Sequence, residues 1–135
     1  MLYLLDTNVC IRLINGTSNA VRRRIKSTRQ RDVTVCSVVK AELFYGAMRS
    51  RNPGQTLIRY REFLEPFESL PFDDEAAIAY GYIRADLATK GTSIGPNDLQ
   101  IAAIAIGNDL TLITHNTAEF ERVEGLQVED WEVET

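Results

Sequence analysis

Histidine, cysteine and proline are scarce in this chain, with 1, 2 and 4 copies among 135 residues. Cys10 and Cys36 stand alone, so neither a disulfide framework nor a zinc finger can be assembled. With His115 as the only histidine, a Cys/His metal site is excluded as well. No G-x-S-x-G turn, phosphate-binding glycine loop or dinucleotide fingerprint occurs. No apolar run approaches the ~18 residues of a membrane span. Leu2-Tyr3-Leu4-Leu5 meets Asp6 at once, without the basic leader of a signal peptide. A cytoplasmic protein with no membrane attachment and with reduced cysteines is therefore expected. Acid is scarce in one half: residues 1 to 61 hold 3 Asp/Glu against 12 Lys/Arg, whereas residues 62 to 135 hold 16 against 3. That asymmetry suits a polyanion-binding face. The run Arg22, Arg23, Arg24, Lys26, Arg29, Arg31 reads equally well as a solvated helix face. Chemistry is left to carboxylates and a metal.

What is present is ordinary globular material, 44% hydrophobic and 25% charged. The length suits one compact domain spanning 1–135. Tyr3 to Leu5 reads as a buried strand, and Val9, Ile11, Leu13 and Ile14 as a helix stopping near Asn15-Gly16. Ser18 caps a second helix carrying Val21 and Ile25. Val33 to Cys36 is β-branched and apolar, a second strand, after which Ser37 is placed as the cap of a helix through Ala41, Leu43, Phe44 and Ala47. Asn52-Pro53-Gly54 breaks the chain before a helix over Gln55 to Phe63. Glu68 to Phe72 makes a third strand. Asp73-Asp74-Glu75 supplies helix-capping charge for a helix from Ala76 to about Lys90, ending at Gly91. A helix from Asp98 to Ile106, rich in Ala and Ile, is expected to be deeply packed. Leu110 to Thr114 forms a fourth strand, Ala118 to Phe120 a short helical turn, and Leu126 to Val128 a fifth strand. Strands alternating with helices define an α/β, three-layer α/β/α domain around a mostly parallel sheet of about five strands.

Ligands of open parallel sheets sit beyond the carboxyl ends of the strands. Asp6 ends the first strand, Glu42 lies in the helix after the second, Asp98 opens a helix after a Pro-containing loop, and Asn116 lies just past the fourth strand. Three carboxylates from distant positions thus reach one edge, where they repel one another unless a cation intervenes. An all-oxygen set favours Mg²⁺, with Mn²⁺ as the substitute. Singly, each acid has a plainer role: Asp6 as a helix N-cap, Glu42 as a solvent-facing helix residue, Asp98 as a complement to a helix dipole.

The wording around these acids is more specific than their spacing. Leu4-Leu5-Asp6-Thr7-Asn8 resembles the opening of PIN-domain toxins of the VapC family. Ala41-Glu42-Leu43-Phe44-Tyr45-Gly46-Ala47 is similar to their second motif and Ile94-Gly95-Pro96-Asn97-Asp98-Leu99-Gln100-Ile101-Ala102-Ala103 to the third. Thr114-His115-Asn116-Thr117-Ala118-Glu119-Phe120-Glu121-Arg122-Val123, with the closing Val128-Glu129-Asp130-Trp131, is similar to the fourth and its tail. The blocks stand in family order and cover essentially the whole chain.

This resemblance implies the toxin of a type II toxin–antitoxin pair: a Mg²⁺-dependent endoribonuclease held inactive by a VapB-like antitoxin, and a homodimer. By the family pattern Asp6, Glu42 and Asp98 are the metal-site acids. Many relatives have an acid where Asn116 stands. Glu119 is a substitute three residues on, while Asn116 either hydrogen-bonds a water at the metal or caps the short helix. Thr7 and Asn8 are read as orienting Asp6 or a water, or as capping groups. The third and fourth blocks resemble the subgroup that cuts initiator tRNA in the anticodon stem-loop. The expected reaction is metal-assisted in-line hydrolysis by water, leaving a 5′-phosphate and a 3′-hydroxyl. Leu43, Phe44, Tyr45, Leu57, Tyr60 and Phe63 are candidates for dimer or antitoxin surfaces, with core packing as the plainer account of each. Alternatives stay open: an RNA-maturation nuclease without antitoxin, or a metal- or RNA-binding module without turnover. An Asp-nucleophile phosphatase fits poorly because position 8 is Asn. A phospho-acceptor receiver lacks its late Lys.

Overall fold

The computed structural model describes residues 1–133; residues 134 and 135, which the single-domain expectation includes, lie outside the described residues. Five short strands form one sheet: β1 (Tyr3–Leu5), β2 (Val33–Cys36), β3 (Glu68–Leu70), β4 (Thr111–Ile113) and β5 (Val128–Glu129). Their order is β3-β2-β1-β4-β5, and every pairing is parallel. The sheet is therefore wholly parallel, where a mostly parallel one was expected. All four residues of β2 are buried, which requires cover on both faces because successive side chains point to opposite sides.

The helices that supply this cover are α1 (Thr7–Asn15), α2 (Asn19–Lys26), α3 (Ser37–Met48), α4 (Pro53–Leu64), α5 (Asp74–Thr89), α6 (Pro96–Gly107) and the short α7 (Thr117–Phe120). A 3₁₀ turn, Gln30–Asp32, leads into β2. In α6, Leu99 and the unbroken run Ile101 to Ala105 are buried, so the Ala/Ile-rich helix is the deeply packed one. α1 stops at Gly16, whose φ of 65° is the left-handed conformation that glycine adopts without strain.

Several boundaries differ from the sequence reading. Ser37 is the first residue of α3, and Cys36 occupies the cap without a side-chain hydrogen bond. β2 runs directly into the helix, so no loop residue is left to cap it. α4 begins at Pro53, because a proline at the first helical position loses no hydrogen bond. β3 stops at Leu70, before Pro71, and β5 is Val128–Glu129. Asp73 caps α5 by accepting from the Ala76 N–H at 3.0 Å, as the acidic run suggested.

The chain leaves β1 for β2 on one side and returns to β4 on the other, so the strand order reverses between β1 and β4. That crevice is where open α/β sheets bind ligands. Among the described residues no helix is long and apolar enough to cross a membrane.

Candidate functional site

Asp6 leaves β1 at the crevice and caps α1. Its Oδ1 accepts from the Thr7 N–H at 2.8 Å, and its Oδ2 from the Thr114 hydroxyl at 2.7 Å. The second bond spans the crevice from β1 to the end of β4. Asp6 is 6% exposed, and burial, the largest influence, lifts its carboxyl above the ordinary range despite both hydrogen bonds. The capping role weighed for Asp6 is therefore real, and it coexists with a place in the pocket.

Glu42 is half-buried on α3 rather than solvent-facing. Its Oε1 accepts from the Thr7 hydroxyl at 2.7 Å. Thr7 thus orients Glu42 with its side chain and Asp6 with its backbone, a division of labour the sequence reading did not specify. Asn8 is exposed.

Asp98 sits in the first turn of α6. Burial, then the charges of Asp6 and Glu119, a hydrogen bond with Glu119 and the charge of Glu42 push its carboxyl up to about 7. All these influences act in one direction, as expected where acids crowd together. Glu119 reaches the same place from α7. Its Oε1 accepts from the Gly95 N–H at 3.1 Å and its Oε2 from the Asn116 side-chain N–H at 2.8 Å. The Asn116 bond is the main reason that its carboxyl is held below the ordinary value. Asp98 is accordingly shifted toward its protonated form and Glu119 toward its carboxylate.

Asn116 holds the cap position of α7 but makes no side-chain capping bond. It positions Glu119 instead, so the choice between Asn116 and Glu119 becomes a pair. The Asn116 N–H donates to the Thr114 oxygen at 3.0 Å, joining this loop to Asp6 through one hydroxyl. Thr114 and Gly95 were missed in the sequence. Both lie inside the quoted motifs, but a strand-end threonine and a loop N–H carry no chemical signal until their partners are known.

Of the apolar surface candidates, Leu43 is core at 1% exposed, while Tyr45 is open at 63%. Phe44, Leu57, Tyr60 and Phe63 are half-buried.

The pocket therefore gathers Asp6, Glu42, Asp98 and Glu119, all oxygen donors, which suits a hard divalent cation and not a thiolate or imidazole metal. Their mutual repulsion is the cost that such a cation removes. The ligand atoms of Asp6, Glu42 and Asp98 do not all fall within 4.8 Å of one another. A small cation that keeps several of its own waters needs only one or two direct carboxylates.

The PIN domain model matches residues 3–126. A "tRNA(fMet)-specific endonuclease VapC" of Salmonella typhimurium is 40% identical over 129 residues, covering 96% of this chain and 97% of that protein. One of the same description from Shigella flexneri is 41% identical over the same shares of both. Among solved structures, the DNA-bound VapBC from Salmonella typhimurium contains a chain that superposes with a TM-score of 0.91 at 41% identity, covering 97% of this chain and 99% of that one. A carboxylate pocket at the switch point, in a chain matched along nearly its whole length, is accounted for by one kinship: this protein belongs to the PIN-domain family, among its VapC ribonucleases.

Proposed function

We propose that this chain, as a single PIN domain over 1–135, is the toxin of a VapBC-type pair: a cytoplasmic, Mg²⁺-dependent endoribonuclease that cuts initiator tRNA in the anticodon stem-loop. The observation that carries the reading is the convergence of Asp6, Glu42, Asp98 and Glu119 at the reversal of strand order, with Asp98 raised to about 7. The names of the relatives supply the substrate, and the solved VapBC complexes supply a VapB-like antitoxin as partner.

Asp6, Glu42 and Asp98 would hold the cation, Mg²⁺ by preference and Mn²⁺ as a substitute for the same oxygen donors. When bound, it supplies Lewis acidity toward the scissile phosphodiester. The residues perform the remaining tasks. Thr114 and the Thr7 N–H fix both Asp6 oxygens, and the Thr7 hydroxyl fixes Glu42. Asn116 and the Gly95 N–H hold Glu119 as a carboxylate beside Asp98. The Lys/Arg-rich first half offers the RNA backbone its sequence-independent attraction. A homodimer is part of the proposal. Tyr82 and Ile78 on α5, 78% and 59% exposed, and Tyr45, Met48 and Ile58 on α3 and α4, 63%, 52% and 58% exposed, provide apolar surface for a second copy and for the antitoxin.

The test is incubation of the full chain, freed of antitoxin, with initiator tRNA and control RNAs in Mg²⁺ or EDTA. Cleavage at one anticodon-loop position, dependent on Mg²⁺ and reduced by about 100-fold or more in Asp6→Ala and Asp98→Ala, is expected. Cutting of a different RNA keeps the enzyme class and removes the tRNA assignment. No cutting by folded, metal-loaded protein sinks the nuclease reading in favour of a non-catalytic module.

A further inference from the structure

A second group of metal-ligating side chains lies at the other flank of β4. Parallel pairing sets Ile113 against Glu129, and the Thr114 N–H donates to the Glu129 carbonyl at 3.0 Å. The residues just past these two strands, His115 and Asp130, are thereby brought side by side. Asp130 Oδ1 accepts from the Glu132 N–H at 2.9 Å, a local turn that returns Glu132 to the same point while Trp131 is buried beneath it. The result is three donor atoms facing one another. His115 Nδ1 is 2.9 Å from Asp130 Oδ2 and 3.5 Å from Glu132 Oε2, and all three lie within 4.8 Å.

One atom in this group is unexplained by ordinary hydrogen bonding. Glu132 Oε1 accepts from Arg12 Nε at 2.8 Å, but Glu132 Oε2 is buried and, among the described residues, has no hydrogen-bond partner. A buried carboxylate oxygen left in that state is costly and calls for a missing partner. The His115 ring is committed to Asp130 at 2.9 Å and leaves Glu132 Oε2 only a longer ion-pair contact at 3.5 Å. A cation satisfies Oδ2, Oε2 and Nδ1 together. Tetrahedral metal–ligand bonds of about 2.0–2.2 Å place neighbouring ligands about 3.3–3.6 Å apart. The 3.5 Å between His115 Nδ1 and Glu132 Oε2 already has this spacing, and a small opening of the 2.9 Å His115–Asp130 pair reaches it. Charge agrees: the Asp130 and Glu132 carboxylates less the Arg12 guanidinium leave one negative charge for a cation to meet.

We propose that His115, Asp130 and Glu132 form a transition-metal site, distinct from the Asp6–Asp98 pocket and selective for imidazole-accepting cations of the Zn²⁺ class. The set of one nitrogen and two oxygens suits Zn²⁺ better than Mg²⁺. The carboxylate side chains are 16% and 14% exposed and the imidazole 59%, so the ring faces solvent and leaves room for water to complete the coordination. An ion there ties the β4–α7 loop, which carries Thr114 and Asn116, to the tail that packs on α1 and α2.

Because the chain contains one histidine, every histidine signal belongs to His115. Untagged full-length protein is titrated with Zn²⁺ alone, followed by the His115 ring resonances and by X-ray absorption at the zinc edge. Ring resonances that shift on binding and imidazole scattering around the zinc are expected. His115→Gln and Glu132→Gln should each weaken that Zn²⁺ by about 10-fold or more, while Asp98→Asn leaves it in place. Ring resonances unmoved by bound zinc, or binding lost with Asp98→Asn and retained with His115→Gln, would overturn the site. No cleavage assay enters this test, so its failure leaves the nuclease reading untouched.

Discussion

Thr114 shows how much of a pocket one hydroxyl can organise. It donates to Asp6 and accepts from the Asn116 N–H, so a single side chain fixes an acid and the loop that presents Glu119. Thr114→Val keeps the shape and removes both bonds. With Asp6 holding the cation as proposed, cleavage should fall by about 10–100-fold with a higher Mg²⁺ requirement, the usual effect of losing a group that orients a metal ligand. Cleavage across a Mg²⁺ titration measures it, and an unchanged Mg²⁺ dependence would remove Thr114 from the site. Asp98 predicts a pH effect of definite sign. An unfolded Asp titrates near 3.9, whereas burial and neighbouring acids hold Asp98 at about 7 in the folded chain. Between about pH 4 and 7 the folded state therefore binds more protons, and stability falls as pH rises through that window. In EDTA the thermal midpoint should drop from pH 5 to pH 8, and Asp98→Asn should flatten that slope. Mg²⁺ should raise the midpoint more at pH 8 than at pH 5.

Helices α5 and α6 meet closely at a glycine. A Cβ built on Gly107 would meet the Ala76 nitrogen and the Glu75 carbonyl carbon at 3.4 Å. The end of α6 thus packs directly on backbone at the start of α5. Backbone atoms cannot rotate away as a side chain can, so Gly107→Val should destabilise by about 1–3 kcal/mol, as overpacking does. Urea unfolding measures this, with an unchanged midpoint as the contrary result. Element type was largely legible because periodicity and β-branching are local signals: the buried run in α6 and the acidic start of α5 both read directly. The cap of α3 did not. Ser37 has the chemistry of a cap, but β2 passes into the helix without an intervening residue, a feature set by sheet pairing.

Across the whole molecule, the two chain ends are joined through Trp131. This side chain is 1% exposed, meets the Tyr3 ring edge-on at 5.2 Å and lies under the Arg24 guanidinium at 5.2 Å. Arg12–Glu132 and Arg24–Glu129, each at 2.8 Å, flank it. The ion pairs are partly exposed and contribute little, so burial of the ring is the main term. Trp131→Ala should cost about 3–5 kcal/mol in chemical unfolding, whereas Glu129→Gln should cost about 1 kcal/mol or less. A small loss for Trp131→Ala would mean that the tail is not part of the core.

The sequence by itself determined the main elements and the α/β class, and it marked Asp6, Glu42 and Asp98 as candidates, because strand and helix periods are local and the motifs around these acids are contiguous words. By what it lacked, it also excluded a Cys/His metal site, a G-x-S-x-G turn and a phosphate-binding glycine loop. Tertiary structure alone decided which groups hold those acids: the Thr7 hydroxyl turns to Glu42 across 35 positions and the Thr114 hydroxyl to Asp6 across 108. It likewise decided that Asn116 and Glu119 act as a pair and that the lone histidine stands between two tail carboxylates. Such pairings depend on strand order and register, which arise from burying the sheet on both faces. No local pattern encodes the distance between residues that meet only when the sheet closes around them.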